Sequence, residues 1–122
     1  MKTLVVADDI TGANDIAVMY AKSGLKTVTY TCGSETLFAS GESVCVVDTD
    51  SRFLPAQEAY RRVYQRVVQN PGCHRYFDKQ CSVFRGNIGA EFDAMLDALG
   101  EDFAAVVLGY PANGRTTVNS IH

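Results

Sequence analysis

The sequence predicts an α/β fold with an open, mainly parallel sheet of about five strands and helices on both faces. Short runs of apolar and β-branched residues alternate along the chain with longer segments whose apolar residues recur at helical spacing. Two of the short runs carry almost no polar residues, as expected for strands buried on both faces of a parallel sheet. An alternating order of strand and helix is the pattern that builds such a sheet.

The predicted strands are short and are bounded by polar or turn-forming residues. They span residues 3–7, 26–31, 44–48, 74–79 and 103–109. The first reads Thr-Leu-Val-Val-Ala, the third Val-Cys-Val-Val-Asp and the fifth Phe-Ala-Ala-Val-Val-Leu-Gly. The third strand therefore ends on a carboxylate, and the first is followed directly by two.

Three helices are predicted between the strands, over residues 13–23, 55–69 and 87–99. Gly24 follows the first helix, where a glycine commonly ends a helix. Pro55 begins the second, because proline is tolerated in the first turn. In the third, apolar residues fall on one face at helical spacing.

The composition limits the class of protein and the partners that the sequence allows. With 122 residues and 47% hydrophobic residues it is expected to form one globular domain, residues 1–122. A net charge of −3 argues against nucleic acid or a membrane surface as the partner. The sequence lacks a signal-peptide pattern and an apolar run of membrane-spanning length. Its four cysteines show no C-x-x-C spacing, so we expect reduced thiols, no metal site and a cytoplasmic location.

Polar residues follow four of the five predicted strands. The four groups are Asp8, Asp9, Thr11 and Asn14; Asp48, Thr49, Asp50, Ser51 and Arg52; Lys79, Ser82, Arg85, Gly86 and Asn87; and Asn113, Gly114, Arg115 and Thr116. In an open parallel sheet the carboxyl ends of the strands meet at one edge, where ligands bind. Carboxylates there hold hydroxyls, a metal or an ammonium, and arginines hold a carboxylate or phosphate. This mixture fits a polyhydroxylated acid.

Each group also has a purely structural interpretation. Asp8 and Asp9 are suited to capping the helix that follows them. Residues 48–51 are suited to capping the helix that begins near Pro55, and residues 85–87 to a tight turn with a solvated Arg85. Arg61, Arg62 and Arg66 are expected to form a solvated helix face, and Glu91 and Asp93 to complement the helix dipole.

The acidic pair also resembles a response-regulator receiver domain. In that family an acidic pair binds magnesium and a third carboxylate accepts a phosphoryl group, roles that would fall to Asp8, Asp9 and either Asp48 or Asp50. The receiver pattern requires a lysine after the fifth strand, and this chain has none after Lys79. The receiver interpretation is therefore kept only as an alternative.

Four segments resemble signatures of the four-carbon acid sugar kinases. They read Ala-Asp-Asp-Ile-Thr-Gly-Ala-Asn-Asp over 7–15, Asp-Ser-Arg over 50–52, Phe-Arg-Gly-Asn-Ile-Gly-Ala-Glu over 84–91 and Pro-Ala-Asn-Gly-Arg-Thr-Thr over 111–117. The chain departs from the family pattern at Cys81, where an Asp is usual, at Val83, where a Thr is usual, and at Ser120, where a Gly is usual. The loss of the carboxylate at Cys81 puts substrate affinity in question.

The resemblance implies an ATP-dependent kinase that acts on tetronate-type acids. Such proteins have an N-terminal sugar-acid-binding domain and a C-terminal nucleotide-binding domain, and the latter mainly holds ATP and Mg²⁺. This chain corresponds to part of the N-terminal domain and is not expected to be a competent kinase alone. The resemblance implies Asp9 and Asp8 as catalytic residues. It implies substrate-binding roles for Asn14, Ser51, Arg52, Ser82, Arg85, Gly86, Asn87 and Arg115.

Two other functions stay open from the sequence. One is a sugar-acid-binding module without catalysis, and the other is a remnant that folds poorly and binds nothing. The expected partners are a small sugar acid and either a separate nucleotide-binding half or a second copy of this chain. Because the fifth strand lies near the end of the sequence, we also expect an exposed sheet edge that favours self-association.

Overall fold

The fold is known from a computed structural model, which describes residues 1–33, 36–119 and 121. In chain order the elements are β1 (Thr3–Ala7), α1 (Ile10–Lys22), β2 (Thr27–Tyr30), β3 (Val44–Asp48), α2 (Ala56–Val68), β4 (Arg75–Lys79) and α3 (Ile88–Leu99), followed by a short 3₁₀ turn over Pro111–Asn113. Four predicted strands and all three predicted helices are confirmed within a few residues. The segment 34–35 and residues 120 and 122 lie outside the description.

The sheet has four parallel strands in the order β2-β3-β1-β4. Thr3 of β1 is in register with Val44 of β3 and with Arg75 of β4, so these three strands begin level with one another. They also end level, at Ala7, Asp48 and Lys79. The residues that follow β1, β3 and β4 are therefore brought to one edge, as predicted.

Helices cover both faces of the sheet. On one face α1 places Ala13 and Ala17 against Val5 of β1 and Val46 of β3. On the opposite face Val63 and Val67 of α2 and Met95 of α3 pack around Val6. The alternation of β1 side chains between the two faces explains why this strand is apolar throughout. Within the part of the chain that is described, no helix is long and apolar enough to cross a membrane.

A crevice at the carboxyl edge of the sheet follows from the strand order. The connection after β1 leads to α1 on one face, whereas the connection after its neighbour β3 leads to α2 on the other. Such a topological switch point opens a gap between two adjacent strands, and ligands of open α/β sheets bind in this gap. Asp8 and Asp9 stand on one side of it, and residues 49–52 on the other.

The predicted fifth strand is wrong for this structure. Residues 103–109 form no ladder, and Phe103 and Val107 are 81% and 86% exposed. Strand propensity reflects local composition, but a strand also needs a docked partner, and β4 is an edge of the sheet among the residues described. Consequently the polar group at 113–116 lies in an exposed turn and is not carried to the site by the sheet.

Candidate functional site

The centre of the crevice is an ion pair between Asp8 and Arg52. The Arg52 guanidinium donates from Nε to Asp8 Oδ2 at 2.7 Å and from Nη2 to Asp8 Oδ1 at 2.8 Å. The Asp8 side chain is 1% exposed and that of Arg52 is 11% exposed. The hydrogen bond to Asp8 raises the pKa of Arg52 above its already high value, so the arginine is charged at any physiological pH. Both carboxylate oxygens of Asp8 are used within the protein.

Asp9 joins the same guanidinium and also caps α1. Arg52 donates from Nη1 to Asp9 Oδ2 at 2.6 Å, and the backbone N–H of Gly12 donates to Asp9 Oδ1 at 2.8 Å. The capping interpretation of the acidic pair therefore applies to Asp9, and it explains why α1 begins at Ile10 rather than at residue 13. The Asp9 side chain is 28% exposed, so it is the carboxylate of the pair that faces solvent.

The loop over residues 49–54 is anchored to β1 and α3. The backbone N–H groups of Ser51 and Arg52 donate to the carbonyl of Asp8 at 3.1 and 3.2 Å. Asn87 donates from Nδ2 to the carbonyls of Ser51 and Leu54 at 2.9 and 2.8 Å. These bonds fix the backbone on which Arg52 stands. Asn87 thus acts here through backbone carbonyls.

Residues 48–51 do not cap α2 as the structural interpretation suggested. The N-cap of α2 is Pro55, and no side chain caps it. Instead Asp48 Oδ1 accepts a hydrogen bond from the backbone N–H of Asp50 at 2.8 Å, which supports the left-handed φ of 47° at Asp50. Burial raises the pKa of Asp48, against the effect of that hydrogen bond.

Two glycines are required where the chain approaches the carboxylates. Gly86 has a φ of +102°, and a Cβ there would lie 3.2 Å from Asp8 Oδ2 and 3.3 Å from Arg52 Cγ. A Cβ on Gly12 would lie 2.7 Å from Asp9 Oδ1. The glycines of both sequence motifs therefore leave room for the acidic pair and its arginine.

Arg85 lies at the exposed rim of the crevice, in the turn between β4 and α3. Its Nε donates to Cys81 Sγ at 3.2 Å. Burial alone would raise the pKa of the Cys81 thiol, but hydrogen bonds from the Val83 backbone and from Arg85 outweigh it and lower the pKa. The Cys81 thiol is therefore the group that orients Arg85.

The remaining predicted site residues differ in placement. Asn14 lies on the exposed side of α1, and Ser82 is half-buried beside Cys81. Ser51 is fully buried, and its hydroxyl is within 2.8 Å of that of Thr49. Arg115 exchanges backbone hydrogen bonds with Tyr110 across an exposed turn, outside the sheet.

Two further residues belong to this region, one that the sequence placed at this edge and one that it did not. Lys79 ends β4 and places its Nζ 3.4 Å from the position of a Cβ on Gly12, at the N-terminus of α1. Glu91, which was expected to complement the helix dipole, is 1% exposed. The signal for Glu91 was present, because it lies three residues after Ile88 and four before Met95, on the apolar face of α3.

Comparison with known proteins identifies the family of this chain. A family model described as "Sugar-binding N-terminal domain" matches residues 3–122. The chain belongs to this family. It is 40% identical to a 3-oxo-tetronate kinase of Haemophilus influenzae, a match that covers 94% of this chain and 29% of that protein. It is 42% identical to a D-erythronate kinase of Heliobacterium modesticaldum (94% and 27% covered) and 38% identical to a D-threonate kinase of Salmonella typhimurium (97% and 28% covered).

The chain therefore spans 27–29% of the length of these three relatives. A solved structure also resembles it, with a TM-score of 0.75 and 32% identity over 83% of this chain and 27% of that one. That structure is a domain of unknown function from Bordetella bronchiseptica, described as a domain-swapped dimer with bound citrate. The open parallel α/β fold is shared with it.

Proposed function

We propose that this chain is the acid-recognising part of an ATP-dependent kinase for four-carbon sugar acids. The observation that carries the proposal is the cluster of Asp8, Asp9 and Arg52 at the switch point, with Arg85 at its rim. The names of the three relatives supply the substrate class, and the citrate in the solved relative is likewise a hydroxylated carboxylic acid.

In this proposal the exposed Arg85 holds the carboxylate of the substrate, since its guanidinium offers paired donors. Asp9 accepts the proton of the hydroxyl that is phosphorylated. It is chosen over Asp8 because it is the more exposed, and because both oxygens of Asp8 already accept from Arg52. The substrate hydroxyl replaces Arg52 Nη1 at Asp9 Oδ2 and gives up its proton there. Its oxygen then bonds to the terminal phosphorus of ATP while the bond from that phosphorus to the bridging oxygen breaks, and ADP leaves.

The carboxylates of this site do not fit a resident Mg²⁺ ion. All four oxygens of Asp8 and Asp9 accept hydrogen bonds from Arg52 or Gly12. Among the residues described, no group of three or more His, Cys, Asp or Glu side chains is placed to bind a metal. We therefore assign ATP and Mg²⁺ to a nucleotide-binding half outside these 122 residues.

Calorimetric titration tests acid recognition directly. Erythronate and threonate are expected to bind the chain, whereas erythritol, which lacks the carboxylate, is expected to give no heat. Arg85→Ala should abolish binding of the acids. Arg75→Ala is the matched control, because Arg75 is an exposed arginine at the opposite, amino-terminal end of β4. Equal affinity for erythritol and erythronate would refute the proposal.

Catalysis is tested by supplying the part of a relative that this chain does not match. The chain is mixed with the separately expressed remainder of the Heliobacterium relative, and ADP formation is followed with erythronate as acceptor. Turnover is expected with the wild-type chain and is expected to fall at least about a hundredfold with Asp9→Asn, the loss typical of a missing general base. Tight acid binding without any turnover would instead favour the non-catalytic module.

We also propose self-association through the C-terminal segment. Phe103 and Val107 are exposed, and the β4 edge of the sheet has no partner among the residues described. The solved relative is a domain-swapped dimer. Sedimentation velocity is expected to show a concentration-dependent dimer that Val107→Lys abolishes. A wild-type chain that is monomeric at all concentrations would contradict this.

A further inference from the structure

A network of hydrogen-bonded polar side chains lies behind the Asp8–Arg52 pair. Gln80 donates from Nε2 to Asp78 Oδ2, and the same amide nitrogen donates to Glu91 Oε2 at 2.9 Å. Glu91 Oε1 accepts a hydrogen bond from Ser51 Oγ at 2.6 Å. The network thus links the end of β4, through α3, to the loop that carries Arg52.

Two oxygen atoms of this hydrogen-bonded network have no hydrogen-bond donor among the residues described. They are Asp78 Oδ1 and Gln80 Oε1, and both atoms are buried, although Asp78 as a whole is half-buried. Leaving two buried acceptors unpaired is unfavourable, because each has lost the hydrogen bonds that it would make with water. Two acceptors on groups that already touch indicate one missing donor between them.

A proton on Asp78 supplies that donor. A carboxylic acid and a primary amide form a ring of two hydrogen bonds, in which the amide N–H donates to the acid carbonyl and the acid O–H donates to the amide oxygen. The first of these bonds, from Gln80 Nε2 to Asp78 Oδ2, is already present. With Oδ1 protonated, Asp78 completes the second bond to Gln80 Oε1, and both unpaired oxygens are satisfied.

We propose that Asp78 is held as a neutral acid paired with Gln80, and that this pair positions the substrate site by orienting Glu91 and, through Ser51, the loop of Arg52. The inference rests on the proposed acid-binding function for its consequence. Asp78, Gln80 and Glu91 are positioning residues here, because they act on the site through Ser51 and the loop that carries Arg52. Nothing in the sequence motifs had assigned them a role in the site.

The electrostatic surroundings favour the neutral acid. Burial raises the pKa of Asp78 to about 7, and the carboxylates of Glu91 and Asp8 add to that rise. The hydrogen bond from Gln80 and the charge of Lys79 act in the opposite direction. The charged groups around this network are Glu91 from α3, Asp8 from the end of β1, Lys79 from β4 and Arg52 from the loop after β3.

The proposal predicts a pH dependence for acid binding. When Asp78 ionises, the ring with Gln80 opens and two carboxylates face each other across one amide. Binding then requires the protonated fraction, so one pH unit above the pKa of Asp78 the apparent Kd for erythronate rises about tenfold. Asp78→Asn reproduces the neutral acid at every pH, because the asparagine N–H donates to Gln80 Oε1 while its oxygen accepts from Nε2.

The experiment combines carboxyl NMR with calorimetry from about pH 5 to about pH 9. In the unliganded wild-type chain the side-chain carboxyl carbon of Asp78 is expected to titrate near neutrality. The affinity for erythronate is expected to fall in parallel, whereas Asp78→Asn gives a flat profile. Asp93→Asn, the same change on the exposed side of α3, is the control and should keep the wild-type profile.

Positioning is read from the Arg52 Nε–H signal, which Arg52→Lys identifies by its loss. In Glu91→Ala, which removes the acceptor of both the Gln80 amide and the Ser51 hydroxyl, this signal is expected to broaden and exchange faster. An Asp78 carboxyl that titrates near pH 4, or identical pH profiles for wild type and Asp78→Asn, would overturn the proposal. If no tetronate binds at any pH, the proposed function fails, whereas the carboxyl titration still decides the state of Asp78.

Discussion

Gly86→Ala perturbs the site at the point where the backbone passes closest to the acidic pair. Gly86 has a φ of +102°, in a region that residues with a Cβ rarely occupy. The new methyl group would lie 3.2 Å from Asp8 Oδ2 and 3.3 Å from Arg52 Cγ. Neither atom is at the free end of a side chain, because Asp8 and Arg52 hold each other through two hydrogen bonds.

Two unfavourable contributions to the stability of Gly86→Ala add together. The backbone strain at a positive φ is about 1–3 kcal/mol, and crowding a packed position is about 1–3 kcal/mol. We therefore expect the free energy of unfolding to fall by about 2–6 kcal/mol, a large share of the roughly 5–15 kcal/mol that stabilises a typical domain. Affinity for erythronate should fall as well, because Asp8 and Arg52 must shift away from residue 86.

Urea unfolding measures the stability change, and calorimetry measures the affinity. Gly89→Ala is the matched control, because a Cβ on Gly89 meets no atom within 4 Å and Gly89 lies inside α3. There the alanine should stabilise the chain by at most about 1 kcal/mol. If Gly86→Ala is as stable as wild type and binds erythronate equally well, the close approach of residue 86 to the pair is not what the site requires.

Three further predictions concern single side chains. Asp8→Ala leaves the Arg52 guanidinium buried without its bidentate partner and should lower the free energy of unfolding by about 3–5 kcal/mol in urea titrations. An unchanged urea midpoint would mean that solvent replaces the Asp8 carboxylate as the partner of Arg52. Asp9→Ala removes the N-cap of α1 and should cost about 1 kcal/mol in thermal unfolding, whereas Asp9→Asn, which still caps, should cost less. The hydrogen bonds from Arg61 lower the pKa of Glu58 to about 2, so NMR titration should find this carboxylate ionised down to that pH. Its contribution to stability should be lost as the pH falls from about 4.5 to about 2. A titration midpoint near 4.5 would show that the ion pair does not persist in solution.

The sequence by itself determined the type of most elements and the chemistry at the edge of the sheet. Apolar runs such as residues 3–7 and 44–48 identify strands because the pattern is local to a few residues. The motif around Asp8 and Asp9 could likewise be assigned to the end of a strand, and the mixture of carboxylates and arginines indicated an acidic, hydroxylated ligand.

Tertiary structure decided the strand order and the partners of each side chain. Arg52 pairs with Asp8 across 44 positions of sequence, a contact that no local pattern encodes. The same non-local packing buries Ser51 and Glu91 as supports of the site and leaves residues 103–109 outside the sheet. Element type depends on neighbours along the chain, whereas pairing and burial depend on which surfaces meet after the chain folds.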